Sequence, residues 1–405
     1  GVRRHQGDAP GRGRQQFLEA SGERSGHAQA HVGVGQGGHG AGCARRPHQG
    51  DGLPDDPEAQ RVPHVAVPTI FDEATRIAQK ERLFDRAPEI QKPAGFINTG
   101  TNPDGTARPI TIAELRGKKV ILLDIWTYSC INCQRTIPYL NAWYDKYKDQ
   151  GLEIIGLHTP EFAFERDIEN VEWAVSQFKL KYPQVLDNDY ATWRELGNNY
   201  WPRKYLIDID GFIVYDHIGE GSYEETEAAI QRALMERAMV VGGESPDSTI
   251  VAETIPEYER ERGLSPEIYF GAFRNQSLGN GAPGQTGVKT YTLPENRIPN
   301  VLYLSGTWDT SSESAKTTGP ARIFFTYRAR DVYMVASAPG IKATIFRDGI
   351  PVGAFAGEDV DPKTSTVEFK ENRLYKLIQE KEIGIHTIEI RIEEPGFDAY
   401  TFTFG

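Results

Sequence analysis

The residues best placed to do chemistry are two cysteines in Trp126-Thr127-Tyr128-Ser129-Cys130-Ile131-Asn132-Cys133, with Pro138 five positions further on. They lie after a strongly apolar run and at the start of a helical pattern. A cysteine at a helix N-terminus feels the positive end of the helix dipole and unpaired backbone N–H groups, which favour the thiolate. Thiolate is the attacking species in disulfide exchange. The spacing therefore predicts that Cys130 attacks a partner's disulfide and that Cys133, one turn further in, resolves the mixed disulfide. The product is a Cys130–Cys133 disulfide, and the reverse sequence oxidises a partner.

Two other uses of such a pair stay open at this level. A structural zinc site needs four ligands, usually a second cysteine pair or a histidine pair. No second pair exists, and His64, His158, His217 and His386 are far apart in the chain, so no metal is expected. A purely structural thiol pair is the other alternative. No cofactor beyond the dithiol is called for. Cys43 lies in a Gly/Arg/His-rich tract and is read as incidental.

The elements that must position the dithiol follow from periodicity. Lys119 to Trp126 reads as a buried strand, followed by a helix from Cys130 to about Asp149 with Ile137, Leu140, Tyr144 and Tyr147 on one face. A strand from Leu152 to His158 and a helix from about Asp167 to Leu180 come next. Tyr205–Ile209 and Phe212–His217 form a hairpin around Asp210-Gly211, and a last helix runs from Tyr223 to Met239 with Ser222 as cap. A short helix between Ile70 and Phe84 precedes them.

Residues 1–68 lack hydrophobic periodicity and read as a disordered or artefactual tail, with His5, His27, His31, His39 and His48 scattered through it. The expected order is then an α/β domain at 69–240, a linker at 241–262 rich in Gly, Ser and Pro, and a third segment at 263–405. In that last segment Ile388, Ile390 and Ile392 alternate, and Ala343 to Ile350, Asn300 to Leu304 and Arg322 to Tyr327 read as short strands. The pattern predicts an all-β sandwich, jelly-roll-like in kind. The net charge of −12 argues against nucleic acid as a partner. No apolar run approaches the ~18 residues of a membrane span, so the chain itself reads as soluble.

The strand–helix–strand–helix–hairpin–helix order, together with these motifs, resembles the thioredoxin superfamily. Within it the match is to thiol-disulfide reductases of the TlpA type, over roughly residues 86 to 238. Arg108 to Lys118 looks like that family's entry into the central strand, Trp126 to Cys133 its active-site strand and turn, and Pro138 its helix-kinking proline. The resemblance implies three roles. Asp124 is the buried acid that accepts the proton of Cys133, its own pKa raised by burial. Pro202, in Asn199-Tyr200-Trp201-Pro202-Arg203, is a cis proline lying against the dithiol. Trp201 beside it shapes substrate choice. Two departures stand out. Thr136 occupies a position where some of these reductases carry an acid, and Glu161 is the candidate substitute. The Ile131-Asn132 dipeptide matches neither the reducing nor the oxidising pattern, so it does not set the direction of electron flow.

The α/β domain followed by a sandwich resembles the extracytoplasmic portion of DipZ-type proteins. Those join a CcdA-like membrane electron conduit to a TlpA-like domain and a carbohydrate-binding-type module. The resemblance implies a reductase tethered to the outer face of the cell membrane. It would take electrons from the CcdA-like donor and give them to oxidised protein substrates. It also raises a cell-wall glycan as a partner, with Trp308, Tyr303 and Tyr327 as candidate stacking platforms and Trp308 foremost, in a loop-like stretch. Two alternatives remain. One is a glycan- or protein-binding module whose dithiol is secondary. The other is a peroxide-reducing enzyme, which would need a lone reactive cysteine rather than a pair.

Overall fold

A computed structural model describes residues 72–255, 258 and 263–405. The tail at 1–68, Cys43 and most of the segment 256–262 lie outside the described residues.

The apolar run at Val120–Trp126 becomes a strand buried along its whole length, because helices cover both of its faces. It is β2 of a six-stranded sheet made with β1 (Gly95–Ile97), β3 (Leu152–His158), β4 (Gln184–Leu186), β5 (Arg203–Ile207) and β6 (Ile213–Ile218). The order is β1-β4-β3-β2-β5-β6, with β2, β3 and β4 parallel and β5 antiparallel to β2. The short strands β1, at one edge of the sheet, and β4 beside it were not read from the sequence. Their few residues carry too little periodicity to stand out.

Among the described residues six α-helices accompany this sheet: α1 (Glu73–Lys80), α2 (Ile112–Leu115), α3 (Ile131–Tyr147), α4 (Ile168–Gln177), α5 (Ala191–Glu195) and α6 (Tyr223–Val241). Leu140 and Trp143 of α3, Val171 of α4 and Ile230 of α6 pack with Leu122 and Ile154 on one face. Ile112 of α2 and Trp193 of α5 pack with Ile121 and Leu123 on the other. Pro138 lies inside α3 as expected. Ser222 does occupy the N-cap of α6, but in a left-handed conformation with no side-chain cap bond. Its carbonyl instead accepts from both Thr226 N and Thr226 Oγ1 at 2.9 Å.

The segment after α6 is pinned rather than free. Glu227 of α6 accepts from Val251 N and Ala252 N, at 2.9 and 2.8 Å, and from Trp143 Nε1 and Tyr147 Oη as well.

Residues 268–404 form a ten-stranded antiparallel sheet: β7 (Ile268–Tyr269), β8 (Gly287–Tyr291), β9 (Leu302–Thr310), β10 (Ala315–Ser337), β11 (Ile341–Arg347), β12 (Ile350–Pro351), β13 (Val360–Asp361), β14 (Thr366–Phe369), β15 (Arg373–Ile392) and β16 (Asp398–Phe404). β10 and β15 span 23 and 20 residues, and their pairing slips between Ala329 and Asp331. The sheet folds over on itself there. Phe325, on the near side of that slip in β10, stacks on Phe402 of β16, which pairs with Met334 on the far side. Ile388, Ile390 and Ile392 all point into the resulting core.

Candidate functional site

The dithiol sits where β2 ends and α3 begins. Cys130 is the N-cap residue of α3 and is half-buried; Cys133, one turn in, is buried. Both are thiols. Burial foremost, then the hydrogen bond and charge of neighbouring Cys130, push the Cys133 thiol well up, so it rests protonated.

The loop in front of Cys130 is held by Glu165, which sequence reasoning missed. This fully buried carboxylate accepts from Ser129 N at 3.2 Å, Ser129 Oγ at 2.6 Å, Glu161 N at 2.6 Å and Phe162 N at 2.9 Å. Trp126 is fixed beneath by a bond from its Nε1 to Gln184 Oε1 at 2.9 Å. The Gln184 side chain fills the space beside Gly156, where any Cβ would collide with it. Tyr128 is buried and stacks on the His158 ring at 5.7 Å. Burial lowers the His158 pKa to about 3, so that ring is neutral.

Behind the dithiol lies Asp124. It is 2% exposed, and its Oδ1 has no hydrogen-bond partner among the described residues. Desolvation raises its pKa to about 6, against the pull of the Lys204 charge. Lys204 is its cross-strand partner on β5, fully buried, and donates to the Gly219 carbonyl at 3.2 Å. Desolvation lowers the Lys204 pKa and the Asp124 charge opposes this. The sequence carries a weak signal for this pair: a lysine inside an apolar strand two residues past Pro202.

In front of the dithiol, the Trp201–Pro202 peptide is cis. Trp201 packs on Trp193 at 4.3 Å and donates from Nε1 to the Thr159 carbonyl at 2.9 Å. A small cleft opens at Cys130, lined by Ser129, Ile131, Asn132, Glu161 and Trp201 from the α/β half. The other wall comes from the β half: Glu267, Val335, Thr401 and Thr403.

The two halves therefore share the site. Ile131 is buried against Tyr269, Tyr333 and Val335, in a cluster joined by Phe162 and Leu374. Arg135, also on α3, lies 5.7 Å from the Tyr333 ring centre, and Ala163 N donates to Glu313 Oε2 at 2.8 Å. The departure at Ile131 thus has a packing role. Glu161 is no free loop carboxylate either. Its Oε1 accepts from Arg274 at 2.6 Å and from Tyr269 Oη at 3.1 Å, both from the β half. Thr136 is buried and donates to the Asn132 carbonyl at 3.0 Å.

The aromatic sugar platform is corrected. Trp308 and Tyr327 are wholly buried and Tyr303 nearly so, all on β9 or β10, leaving no ring face for a pyranose. Trp308 Nε1 is satisfied by the Ser305 carbonyl at 3.0 Å. Ser305-Gly306-Thr307 reads as a loop, yet it is strand with an irregularity: Gly306 has φ +87° and sits against Pro320 and Ala321, beside a slip in the β9–β10 register. One cluster of acidic groups among the described residues has metal-ligand spacing: Asp208, Asp210 and Glu236. The Lys80 ammonium occupies it, at 2.6, 2.7 and 2.6 Å.

Both halves of the chain are similar to known proteins. Residues 83–216 match the AhpC/TSA family, and residues 265–405 match the family described as "Thioredoxin like C-terminal domain". Protein DipZ of Mycobacterium tuberculosis is 36% identical over 320 residues, which is 79% of this chain and 43% of that protein. The chain thus spans less than half the length of DipZ. Thiol-disulfide oxidoreductase ResA of Bacillus anthracis is 36% identical over 156 residues, 38% of this chain and 82% of ResA. Among solved structures, a thioredoxin-like protein in the oxidised form is 24% identical and covers 38% of this chain and 97% of its own, with a TM-score of 0.34.

Proposed function

The chain belongs to the thioredoxin-like thiol-disulfide oxidoreductases, and we propose that within this family it is a reductase of oxidised proteins outside the cytoplasm. The observation that carries the reading is the pairing of a half-open Cys130 at a helix start with a buried Cys133 backed by Asp124. In the forward direction the Cys130 sulfur attacks a client disulfide. A Cys130–client bond forms, and the departing client sulfur leaves as a thiol. Asp124, ionised above about pH 6, then takes the proton of Cys133. The Cys133 thiolate attacks Cys130, the mixed disulfide breaks, and the second client sulfur takes a proton. Two electrons pass to the client, and the chain ends as the Cys130–Cys133 disulfide. Client backbone would pair beside cis Pro202, with Trp201 selecting its neighbouring side chain.

The layout we propose is a redox domain at 69–240, a connector at 241–262 and a covering domain at 263–405. The electron source is a CcdA-like membrane protein that reduces the disulfide again. The resemblance to DipZ supports that donor and a site on the outer face of the membrane. Among the described residues no helix is long and apolar enough to cross a membrane.

Reduction of insulin disulfides by the prereduced chain tests the activity, with Cys130→Ser as control. Turnover no faster than the control would sink it. The equilibrium potential of the dithiol tests direction: a value near the ~−120 mV of the strongest dithiol oxidants would replace reductase by oxidase.

A further inference from the structure

We propose that Glu267, supplied by the β half and linked to Glu161 through Tyr269, is a proton-relay residue for Cys130, so that the C-terminal half completes the redox site. The inference rests on the exchange reaction proposed above and adds a second carboxyl to it. Glu161 and Glu267 both line the cleft that opens at Cys130. Tyr269 Oη lies 3.1 Å from Glu161 Oε1 and 2.8 Å from Glu267 Oε2. A phenol has one hydrogen, so it cannot donate to two carboxylates at once. Both bonds form fully only when one carboxyl carries a proton and donates to the phenol oxygen. Arg274, 2.6 Å from Glu161 Oε1, pairs with the Glu161 carboxylate and makes Glu161 the anionic member at rest. The proton therefore resides on Glu267. Its environment agrees: desolvation, then the Glu161 charge, push its carboxyl up, while Tyr269, Arg274 and Thr403 pull the other way.

Such a pair can serve both ends of the first exchange step. The Cys130 thiol gives its proton to the anionic member as its sulfur attacks. The Cys130–client S–S bond forms and the client S–S bond breaks. The departing client sulfur takes a proton from the neutral member. The pair begins and ends with one proton, so no outside acid or base is consumed.

Glu161, Arg274, Tyr269 and Thr403 act on Glu267, and Cys130 lines the same cleft, so the test must separate charge from shape. Glu267→Gln keeps a donor for Tyr269 but carries no transferable proton. In the full chain, two rates are followed against pH: attack of the prereduced protein on a disulfide-bonded peptide, and alkylation of Cys130 by iodoacetamide. The variant is expected to lose roughly 10²-fold in disulfide attack near neutral pH, and with it the alkaline limb of that profile. Its alkylation should be undiminished, because alkylation needs the thiolate but no proton for a leaving sulfur. Tyr269→Phe should slow attack in the same way, by cutting the link. Attack rates and pH profile like those of the parent in Glu267→Gln would overturn the proposal. So would a parallel fall in attack and alkylation, which would make Glu267 a shaping residue only. A parent chain that alkylates at Cys130 yet attacks no disulfide would instead overturn the exchange reading on which this inference rests.

Discussion

Two carboxyl stations flank the dithiol, and they are built in opposite ways. Asp124 behind Cys133 belongs to the central strand of the α/β sheet. It is sealed by packing, Lys204 on the adjoining strand is its charged neighbour, and its Oδ1 has no hydrogen-bond partner among the described residues. The station in front of Cys130 is assembled from both halves of the chain. Glu161 comes from the loop after β3, while Glu267, Tyr269 and Arg274 come from the β half, and hydrogen bonds join all four. A sealed acid is tuned by desolvation and suits a proton transfer inside the protein. A bonded acid pair open to a cleft suits transfers that involve a client. The pairing also explains why the β half is more than an appendage: it walls the cleft at Cys130.

The largest effect that sharpens this contrast is on rate. Asp124→Asn should slow resolution of the mixed disulfide by about 10²-fold while leaving the first attack on the client nearly unchanged. Rapid-quench mass analysis of the mixed disulfide reads the two steps separately. Equal slowing of both would break the division of labour between the stations.

The next effect is on stability and its sign is fixed by linkage. Unfolded, the Asp124 carboxyl ionises near ~3.9; folded, desolvation holds it protonated up to about 6. Between those values the native state binds the extra proton, so stability falls as pH rises and levels off above about 6. The loss from this group is about 3 kcal/mol. Chemical denaturation at pH 4 and pH 7 should show it as a difference between the parent and Asp124→Asn, with the variant gaining relative stability as pH rises. A difference that does not change with pH would contradict the sealed-acid description.

The smallest effect concerns the joint between the halves. Ile131→Ala removes the side chain that packs against Tyr269, Tyr333 and Val335, and should cost about 2 kcal/mol. Denaturation followed by Trp fluorescence would register it. No change in midpoint would mean that the β half is not held by the residue between the cysteines.

Much of the rear station was legible in the chain. Cys130 and Cys133 sit where an apolar strand meets a helical pattern, so periodicity places them without knowledge of the tertiary fold, while the roles of Asp124 and Pro138 came from the family resemblance. Pro202 needed the family resemblance, since a proline before a strand signals only a turn. Lys204 went unread because antiparallel pairing of β2 with β5 sets it opposite Asp124 across a long stretch of chain. Glu267 and Arg274 went unread for the same reason, at still greater separation. Their roles arise from how the β half seats on the α/β half, which leaves no mark in local periodicity. Trp308 was misread for a local reason: a glycine with polar neighbours looks like a loop, and here it marks a strand irregularity whose tryptophan turns inward.

The central claim is that Cys130 attacks and Cys133 resolves. Mass analysis of the Cys133→Ser chain, mixed with a disulfide-bonded peptide, tests it most directly. The account predicts one stable peptide adduct, mapped to Cys130, that persists until an external thiol is added. No adduct, or an adduct that forms equally well when Cys130 is also replaced by Ser, would contradict it.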